Sequence, residues 1–331
     1  MKELKEDIKS KNFKRIYLFF GDENYLKNYY EGRFKNVILD KSFEMMNLDI
    51  FEGKSQSVQN IIDSAYTAPF MSERRLIIVK DSYLFITGKK DESDKLADFL
   101  KDVPISTTII FIEDTVDKRN KLYKSASSLG IAVEFKILKE PELIKWVTDL
   151  FEKKDKLISK ECVISLIRTV PDNMGTIAFE VDKLINYKSD SKEITFEDID
   201  IVCTKSLENR IFELVKAVGE KKLEKSLDVY SNMIIMKEQP IMILTMIARQ
   251  FRLILQCKDL VSQGQSSEVI ASTLGIRSFI VNDCKKQASN FKFNTLLQAI
   301  NECLEIDLGI KTGKLNPKLA VEIFLIKYAK D

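Results

Sequence analysis

The chain has 331 residues, of which 45% are hydrophobic and 31% are charged. This length suggests two or three domains, and the apolar content is too high for a disordered chain. The 52 Lys and Arg residues nearly balance the 50 Asp and Glu residues, so no chain-wide positive field argues for DNA binding. The absence of histidine excludes Ser-His-Asp and Cys-His catalysis and histidine-ligated zinc.

The cysteines and the amino-terminal segment bear on the cellular compartment. The five cysteines are scattered and form no Cys-x-x-Cys pair: Cys162, Cys203, Cys257, Cys284 and Cys303. Such a set is typical of buried thiols in a reducing cytosol. Residues 1–14 mix both charges and lack the apolar stretch of a signal peptide, and apolar runs such as 241–248 are too short to span a membrane. We therefore expect a cytoplasmic protein.

Residues 1–140 alternate between apolar runs and amphipathic segments. The runs predict buried strands over 15–20, 47–51, 76–79, 107–112 and 132–135, with helices over 23–34 and 57–66 among them. Apolar strands that alternate with helices indicate an α/β domain whose parallel sheet is covered on both faces.

From about Pro141 onward the pattern is helical. Four short helices are predicted over 141–153, 159–169, 174–187 and 196–203, with Ser159 and Thr195 as N-caps. They indicate a small helical domain over 141–206. A second helical domain over 207–331 is predicted from helices at 208–218, 221–236, 240–261, 267–274, 276–289, 293–310 and 317–328.

The turn after the first strand lies where an α/β nucleotide-binding domain holds phosphates. Such a loop needs several glycines and a Gly-Lys-Ser/Thr sequence, but only Gly21 is present, and Asp22 and Glu23 would repel a triphosphate. Lys80 follows the third strand where a magnesium-holding acid would be needed. We therefore expect the fold without its nucleotide site, and we predict no cofactor, no metal and no catalytic residue.

The segment between the second predicted helix and the third predicted strand carries both charged and apolar residues. Pro69 ends the helix, and the turn then presents Phe70 and Met71 beside Arg74 and Arg75. In one interpretation Phe70 folds back into the core. In the other, Phe70 projects from a rigid turn and anchors a partner protein, as buried aromatic side chains do at many interfaces.

Two further motifs have ordinary structural interpretations. Lys311-Thr-Gly313 matches part of the serine β-lactamase signature, but the other parts do not precede it, so a glycine-capped helix end is expected. Residues 267–287 resemble a helix-turn-helix, yet the second helix has an apolar start and mixed charge. Packing within a helical bundle is expected there rather than sequence-specific DNA binding.

Short motifs follow one another along the whole chain: YLFFGDENYL at 17–26, APFM at 68–71, RRLIIVK at 74–80, DKRNKLYK at 117–124, EVDKL at 180–184 and KTG at 311–313. Their joint order and spacing resemble those of the delta subunit of the bacterial DNA polymerase III clamp loader. The resemblance implies a degenerate AAA+-like parallel-sheet domain (1–140), a helical lid (141–206) and a helical collar (207–331) that joins five subunits into a ring.

The resemblance also implies a function. Such a subunit neither binds nor hydrolyses ATP, although it is part of a DNA-directed DNA polymerase holoenzyme; it binds the sliding clamp (beta subunit) and opens its ring for loading onto primed DNA. The family's clamp-binding element falls on Thr67, Pro69 and Phe70, with Met71 adjacent. The implied partners are ATPase subunits of the tau or gamma type and a delta-prime subunit, with primed DNA contacted only through its backbone.

Three other functions stay open at this point. The chain could be a AAA+ ATPase with an unusual site, a helix-turn-helix regulator that reads DNA, or a scaffold that binds loader subunits but not the clamp.

Overall fold

A computed structural model describes residues 1–54, 57–171 and 173–330 of the chain. They form two compact units, the first spanning Met1–Leu138 and the second beginning at Lys139. The helices before and after residue 206 belong to the same unit. The division into three domains therefore stays a prediction.

The first unit is an α/β fold. Its elements are α1 (Lys2–Ser10), β1 (Ile16–Phe20), α2 (Asn24–Ile38), α3 (Glu44–Asn47), β2 (Leu48–Glu52), α4 (Val58–Tyr66), β3 (Arg75–Lys80), α5 (Lys90–Phe99), β4 (Thr107–Glu113), α6 (Lys121–Leu129) and β5 (Ile131–Glu134). The five strands are parallel in the order β2-β3-β4-β1-β5. The predicted parallel sheet is thus confirmed.

The core of the first unit lies along the central strands. Every residue of β1 and of β4 is buried, as expected for parallel strands with helices on both faces. Strand β2 lies at the edge of the sheet and is only partly buried. Because parallel strands end at a common edge, the turns before them lie at one edge of the sheet and the turns after them at the other.

The second unit is helical. Its elements are α7 (Glu140–Glu152), β6 (Leu157–Ile158), α8 (Lys160–Thr169), α9 (Met174–Tyr187), β7 (Glu193–Ile194), α10 (Phe196–Val202), α11 (Leu207–Gly219), α12 (Leu223–Ile235), α13 (Pro240–Ser262), α14 (Ser267–Leu274), α15 (Ser278–Ala288), α16 (Phe293–Lys311) and α17 (Pro317–Ala329). Ser159 caps α8 by accepting from the Cys162 N–H at 3.1 Å, and Thr195 forms a capping box with Asp198. Both predicted N-caps are confirmed.

Helix α13 is the central helix of the second unit's core. It is long and apolar enough to span a membrane by length and composition. In the structure one face of α13 is buried against α11, α15, α16 and α17, and Phe251 packs its ring edge-on against Phe291 at 5.5 Å. Arg249 and Arg252 are exposed on the same helix. Helix α13 is therefore an amphipathic core helix here.

The two motifs with structural interpretations fold as expected. Helix α16 ends at Lys311, and Gly313 follows with a left-handed φ of 73°. Gly275, with φ of 65°, separates α14 from α15. Val281 and Cys284 of α15 are buried in a small cluster with Cys257 of α13. The apolar face of α15 thus packs within the helical unit.

Candidate functional site

The turn between α4 and β3 carries all four residues predicted to bind a partner. Thr67, Phe70 and Met71 are exposed and Pro69 is half-buried. The Phe70 side chain is 47% exposed and that of Met71 is 74% exposed. The interpretation in which Phe70 belongs to the core is therefore wrong, because nearly half of the residue is accessible to solvent.

The backbone of Phe70 is held by a side chain that the sequence analysis did not identify. Asn47, at the end of α3, is 1% exposed. Its Oδ1 accepts a hydrogen bond from the Phe70 N–H at 2.7 Å, and its Nδ2 donates to the Phe70 carbonyl at 2.9 Å. One carboxamide thus satisfies both backbone groups of the residue whose ring is exposed.

Apolar side chains also lie in the neighbouring helix α3 and directly before it. The ring of Phe43 packs edge-on against that of Phe70, with 5.9 Å between the ring centres. Met45 is 97% exposed and Met46 is 56% exposed. We call Met45, Met46, Phe70 and Met71 the apolar tip. The two segments that carry them are hydrogen-bonded through Asn47, and grouped exposed apolar side chains are typical of protein-binding surfaces.

Polar contacts beneath the turn fix its base. Arg75 is buried and donates from Nε to the Asp49 carboxylate at 3.1 Å and from Nη1 to the Met46 carbonyl at 2.9 Å. Ser64 donates to the same Asp49 carboxylate, and Thr107 donates to the Ala65 carbonyl at the end of α4 at 2.9 Å. Arg75 is therefore structural, and α3, α4 and β3 are joined directly below the apolar tip.

At the opposite edge of the sheet lies the turn that would hold phosphates in a nucleotide-binding domain. Gly21 has φ of 113°, and a Cβ atom there would lie 2.5 Å from the Phe135 carbonyl oxygen. The Gly21 N–H donates to the Asp114 carbonyl at 3.1 Å, and the Glu23 N–H donates to the Phe135 carbonyl at 3.0 Å. These backbone donors are thus already used within the chain.

A buried lysine occupies the same edge. Lys27 is 2% exposed, and its Nζ donates to Asp114 Oδ1 at 2.7 Å and to the Glu113 carbonyl at 3.2 Å. It follows Gly21 by six residues, which is the spacing of the phosphate-loop lysine in G-x-x-x-x-G-K. This match of Lys27 to the phosphate-loop lysine is hard to recognise in the sequence, because Leu26 replaces the second glycine. Here Lys27 is paired with an acid of the chain itself.

The acids at this edge are also engaged by the protein. The Glu113 carboxylate accepts from the Ser82 N–H at 3.0 Å and from the Ser82 hydroxyl. Burial raises the pKa of Glu113, and these hydrogen bonds oppose that effect. Asp81 and Tyr83, on either side of Ser82, both have left-handed φ angles. Within residues 1–54, 57–171 and 173–330, no group of three or more Cys, Asp or Glu residues is arranged to hold a metal ion.

The second unit has an exposed apolar surface of its own. On α16 and α17, and in the turn between them, leucine and isoleucine side chains are between 41% and 59% exposed: Leu297, Leu304, Leu308, Leu315, Leu319 and Ile323. Leu297, Leu304 and Leu308 recur at helical spacing on one face of α16. We call these six residues the outer stripe.

Two family models match separate parts of the chain. Residues 17–136 match the family described as "DNA polymerase III, delta subunit", and residues 208–328 match "DNA polymerase III delta subunit, C-terminal domain". The DNA polymerase III subunit delta of Bacillus subtilis (strain 168) is 31% identical over 323 residues, which cover 95% of this chain and 93% of that protein.

Two further similarities extend the comparison. A probable DNA polymerase III subunit delta of Aquifex aeolicus (strain VF5) is 22% identical over 270 residues, covering 80% of this chain and 76% of that protein. The solved structure of the Bacillus subtilis DNA clamp loader delta protein superposes with a TM-score of 0.75 at 30% identity, over 99% of both chains.

Proposed function

Because the chain belongs to the family of DNA polymerase III delta subunits, which are components of the clamp loader, we propose that it binds the sliding clamp through the apolar tip and opens the clamp ring, or holds it open, for loading onto primed DNA. Phe70 and Met71 of the tip, together with the adjacent Thr67 and Pro69, are the contact residues predicted from the sequence, and Met45 and Met46 extend the same surface. The family resemblance of the motifs is confirmed by the comparisons.

The exposure of Phe70 on a fixed base is the observation that carries this proposal. Burying one such side chain in an apolar pocket contributes about 1.5–3 kcal/mol. The Asn47 and Arg75 contacts hold the turn before binding, so little conformational entropy is lost when a partner covers the ring. An exposed, preorganised aromatic side chain is the kind of residue that dominates the energetics of protein interfaces.

Ring opening follows from differential affinity. If the tip binds a clamp protomer in the opened ring more tightly than in the closed ring, binding shifts the population toward the open form. The shift cannot exceed the ratio of the two affinities. Closure and release then depend on ATP-driven changes in partner subunits.

We also propose that the chain itself does not bind or hydrolyse ATP. The donors at Gly21 and Glu23 are engaged by backbone carbonyls, and Lys27 is paired with Asp114. A triphosphate would have to displace these contacts and to approach Asp22 and Glu23. Tight ATP binding by the purified chain would instead favour the AAA+ ATPase alternative.

The outer stripe supports assembly with other loader subunits. We propose that it packs against ATPase subunits of the tau or gamma type and a delta-prime subunit in a five-subunit ring in the bacterial cytoplasm. Residues 207–331 contain eighteen Lys and Arg against fourteen Asp and Glu, which suits modest contact with the DNA backbone and no base reading. The mixed charge of α15, in which Asp283 opposes Lys285 and Lys286, disfavours the DNA-reading regulator.

The decisive experiment is clamp binding by a Phe70→Ala variant. We expect the dissociation constant for the cognate clamp to rise at least roughly tenfold, because an interface anchor of about 2 kcal/mol is lost. Phe196→Ala is the matched control, since Phe196 is 52% exposed in the second unit, and it should bind as the unaltered chain does. Undiminished affinity of Phe70→Ala, with an unchanged melting temperature, would remove the proposal and leave the scaffold alternative.

A further inference from the structure

We infer that Asn47 is a positioning residue for clamp binding: it presets the backbone of Phe70 so that the ring is presented in one orientation before the clamp arrives. This inference rests on the proposed function. It concerns a residue outside the predicted contact set and 23 positions away from Phe70 in sequence.

The carboxamide of Asn47 matches the backbone of Phe70 in its hydrogen-bonding groups. The Phe70 N–H is a donor and the Phe70 carbonyl is an acceptor, so a side chain that binds both must offer one acceptor and one donor at a fixed separation. Asn47 does so, at 2.7 and 2.9 Å. An aspartate of the same shape would keep the acceptor and lose the donor, which would bring a carboxylate against the Phe70 carbonyl.

The backbone conformation of Met71 also depends on Asn47. Its φ of 47° is left-handed, a conformation that is uncommon for a residue other than glycine and needs support from its surroundings. Asn47 Nδ2 supplies that support on both sides of Met71, since it donates to the Phe70 carbonyl and also lies 3.0 Å from the Ser72 hydroxyl. One buried side chain thus contacts the residues on both sides of Met71.

Asn47 lies between the two segments that carry the apolar tip. Nδ2 also donates to the Phe43 carbonyl at 3.1 Å, and the ring of Phe43 packs against the ring of Phe70. Asn47 therefore joins the backbone of the turn to α3, which carries Met45 and Met46. The apolar tip consists of two segments, and Asn47 is hydrogen-bonded to both of them.

These contacts act on affinity through preorganisation. Without Asn47 the turn can sample other conformations in the free chain. Binding to the clamp then costs additional conformational entropy, because the ring of Phe70 must be ordered. Immobilising one side chain costs an amount that corresponds to a roughly three- to tenfold change in the dissociation constant. The Phe70 ring itself is unchanged, so the effect of Asn47 should depend on the presence of that ring.

The test uses the full chain and the cognate clamp. Clamp affinity is measured for Asn47→Ala, Asn47→Asp, Phe70→Ala and the double variant Asn47→Ala/Phe70→Ala. Asn120→Ala is the matched control, because Asn120 also uses its carboxamide to hold a turn of the first unit, with Nδ2 on the Leu84 carbonyl at 3.1 Å and Oδ1 on the Leu122 N–H at 2.8 Å. Asn120 follows β4, at the edge of the sheet opposite to the tip.

We expect Asn47→Ala and Asn47→Asp each to weaken clamp binding roughly three- to tenfold, while Asn120→Ala leaves it unchanged. In the Phe70→Ala background, Asn47→Ala should weaken binding by less than about twofold, since residues that act together are not additive. Hydrogen exchange of residues 67–72 in the free chain should be faster in Asn47→Ala and unaltered in Asn120→Ala.

Each opposing outcome has a distinct meaning. If Phe70→Ala loses affinity but Asn47→Ala does not, the positioning role is wrong and the proposed function stands. If the two effects add in full, Asn47 acts independently of Phe70 and the inference is overturned. If Phe70→Ala binds normally, the proposed function itself is wrong.

Discussion

Glu113 is a buried carboxyl group whose protonation depends on the fold of the first unit. It is 4% exposed at the end of β4, and burial raises the pKa of its carboxyl group, with the nearby Asp81 adding to the effect. The folded chain therefore holds a proton on Glu113 at pH values where the unfolded chain has lost it. The Ser82 hydrogen bonds offset only part of this cost.

The sign of the pH dependence follows from that difference. Where the folded state binds more protons than the unfolded state, the free energy of unfolding falls as pH rises. The contribution of Glu113 to the free energy of unfolding is thus most favourable below the ordinary pKa of the group, near 4.5. It declines as pH rises through the pKa that Glu113 has in the folded chain.

We predict that Glu113→Gln removes this decline. The glutamine oxygen can still accept from Ser82, but the side chain does not titrate. The free energy of unfolding of Glu113→Gln minus that of the unaltered chain should rise as pH increases from 4 and then become constant. Urea unfolding across pH 4–8 measures it, and a difference that does not vary with pH would contradict the assignment.

Residue-level roles were only partly predictable from sequence. Phe70 was identified as a candidate contact through the family resemblance, because a proline and an aromatic residue between a helix and a strand left both a core position and an exposed position open. Asn47 could not be, because its partner lies 23 residues away and an asparagine before a strand is an ordinary turn residue. Lys27 had a signal in its spacing from Gly21, but only the fold shows that its partner is Asp114.

At the scale of elements, sequence patterns were most informative where burial is uniform or a cap is present. Strand β1 is apolar throughout, β3 and β4 each have a continuous apolar centre, and α8 and α10 begin at polar caps. Helices α1 and α5 were not predicted, because each is short, rich in charge and buries only a few side chains, such as Leu4 and Ile8 in α1. Their stability depends on tertiary packing, of α1 against α2 and of α5 against α4 and α6, which no local pattern reports.

The outer stripe is the element-level feature that makes a testable prediction. A Leu304→Glu/Leu308→Glu variant places two charges on the exposed face of α16, where they touch solvent in the free chain. We expect the melting temperature to change by no more than about 3 °C. Association with the loader ATPase subunits should weaken at least roughly tenfold, because charged groups would be buried at the interface.

Sedimentation of mixtures with those subunits measures the loss. Ile201→Glu is the control, since Ile201 is 61% exposed on α10 and lies outside the stripe. Assembly that survives the double variant but not the control would place the interface elsewhere on the second unit.

At the scale of the whole molecule, the proposed activities separate between the two compact units. The apolar tip, the Asn47 contacts and the sheet beneath them all lie within Met1–Leu138, whereas the outer stripe lies in the unit that begins at Lys139. The first unit has its own buried core on both faces of the sheet, and a unit of this size can fold alone. Clamp binding and assembly should therefore be separable by cutting the chain between the units.

We predict that residues 1–138 alone form a folded protein that binds the clamp within about threefold of the full chain's affinity, since every contact that fixes Phe70 is retained. Circular dichroism with urea unfolding tests the folding, and titration with the clamp tests the binding. The same fragment carrying Phe70→Ala is the control and should bind at least roughly tenfold more weakly. A folded fragment whose affinity falls by more than about tenfold would show that the second unit contributes directly to the clamp interface, and the tip would then be only one part of that interface.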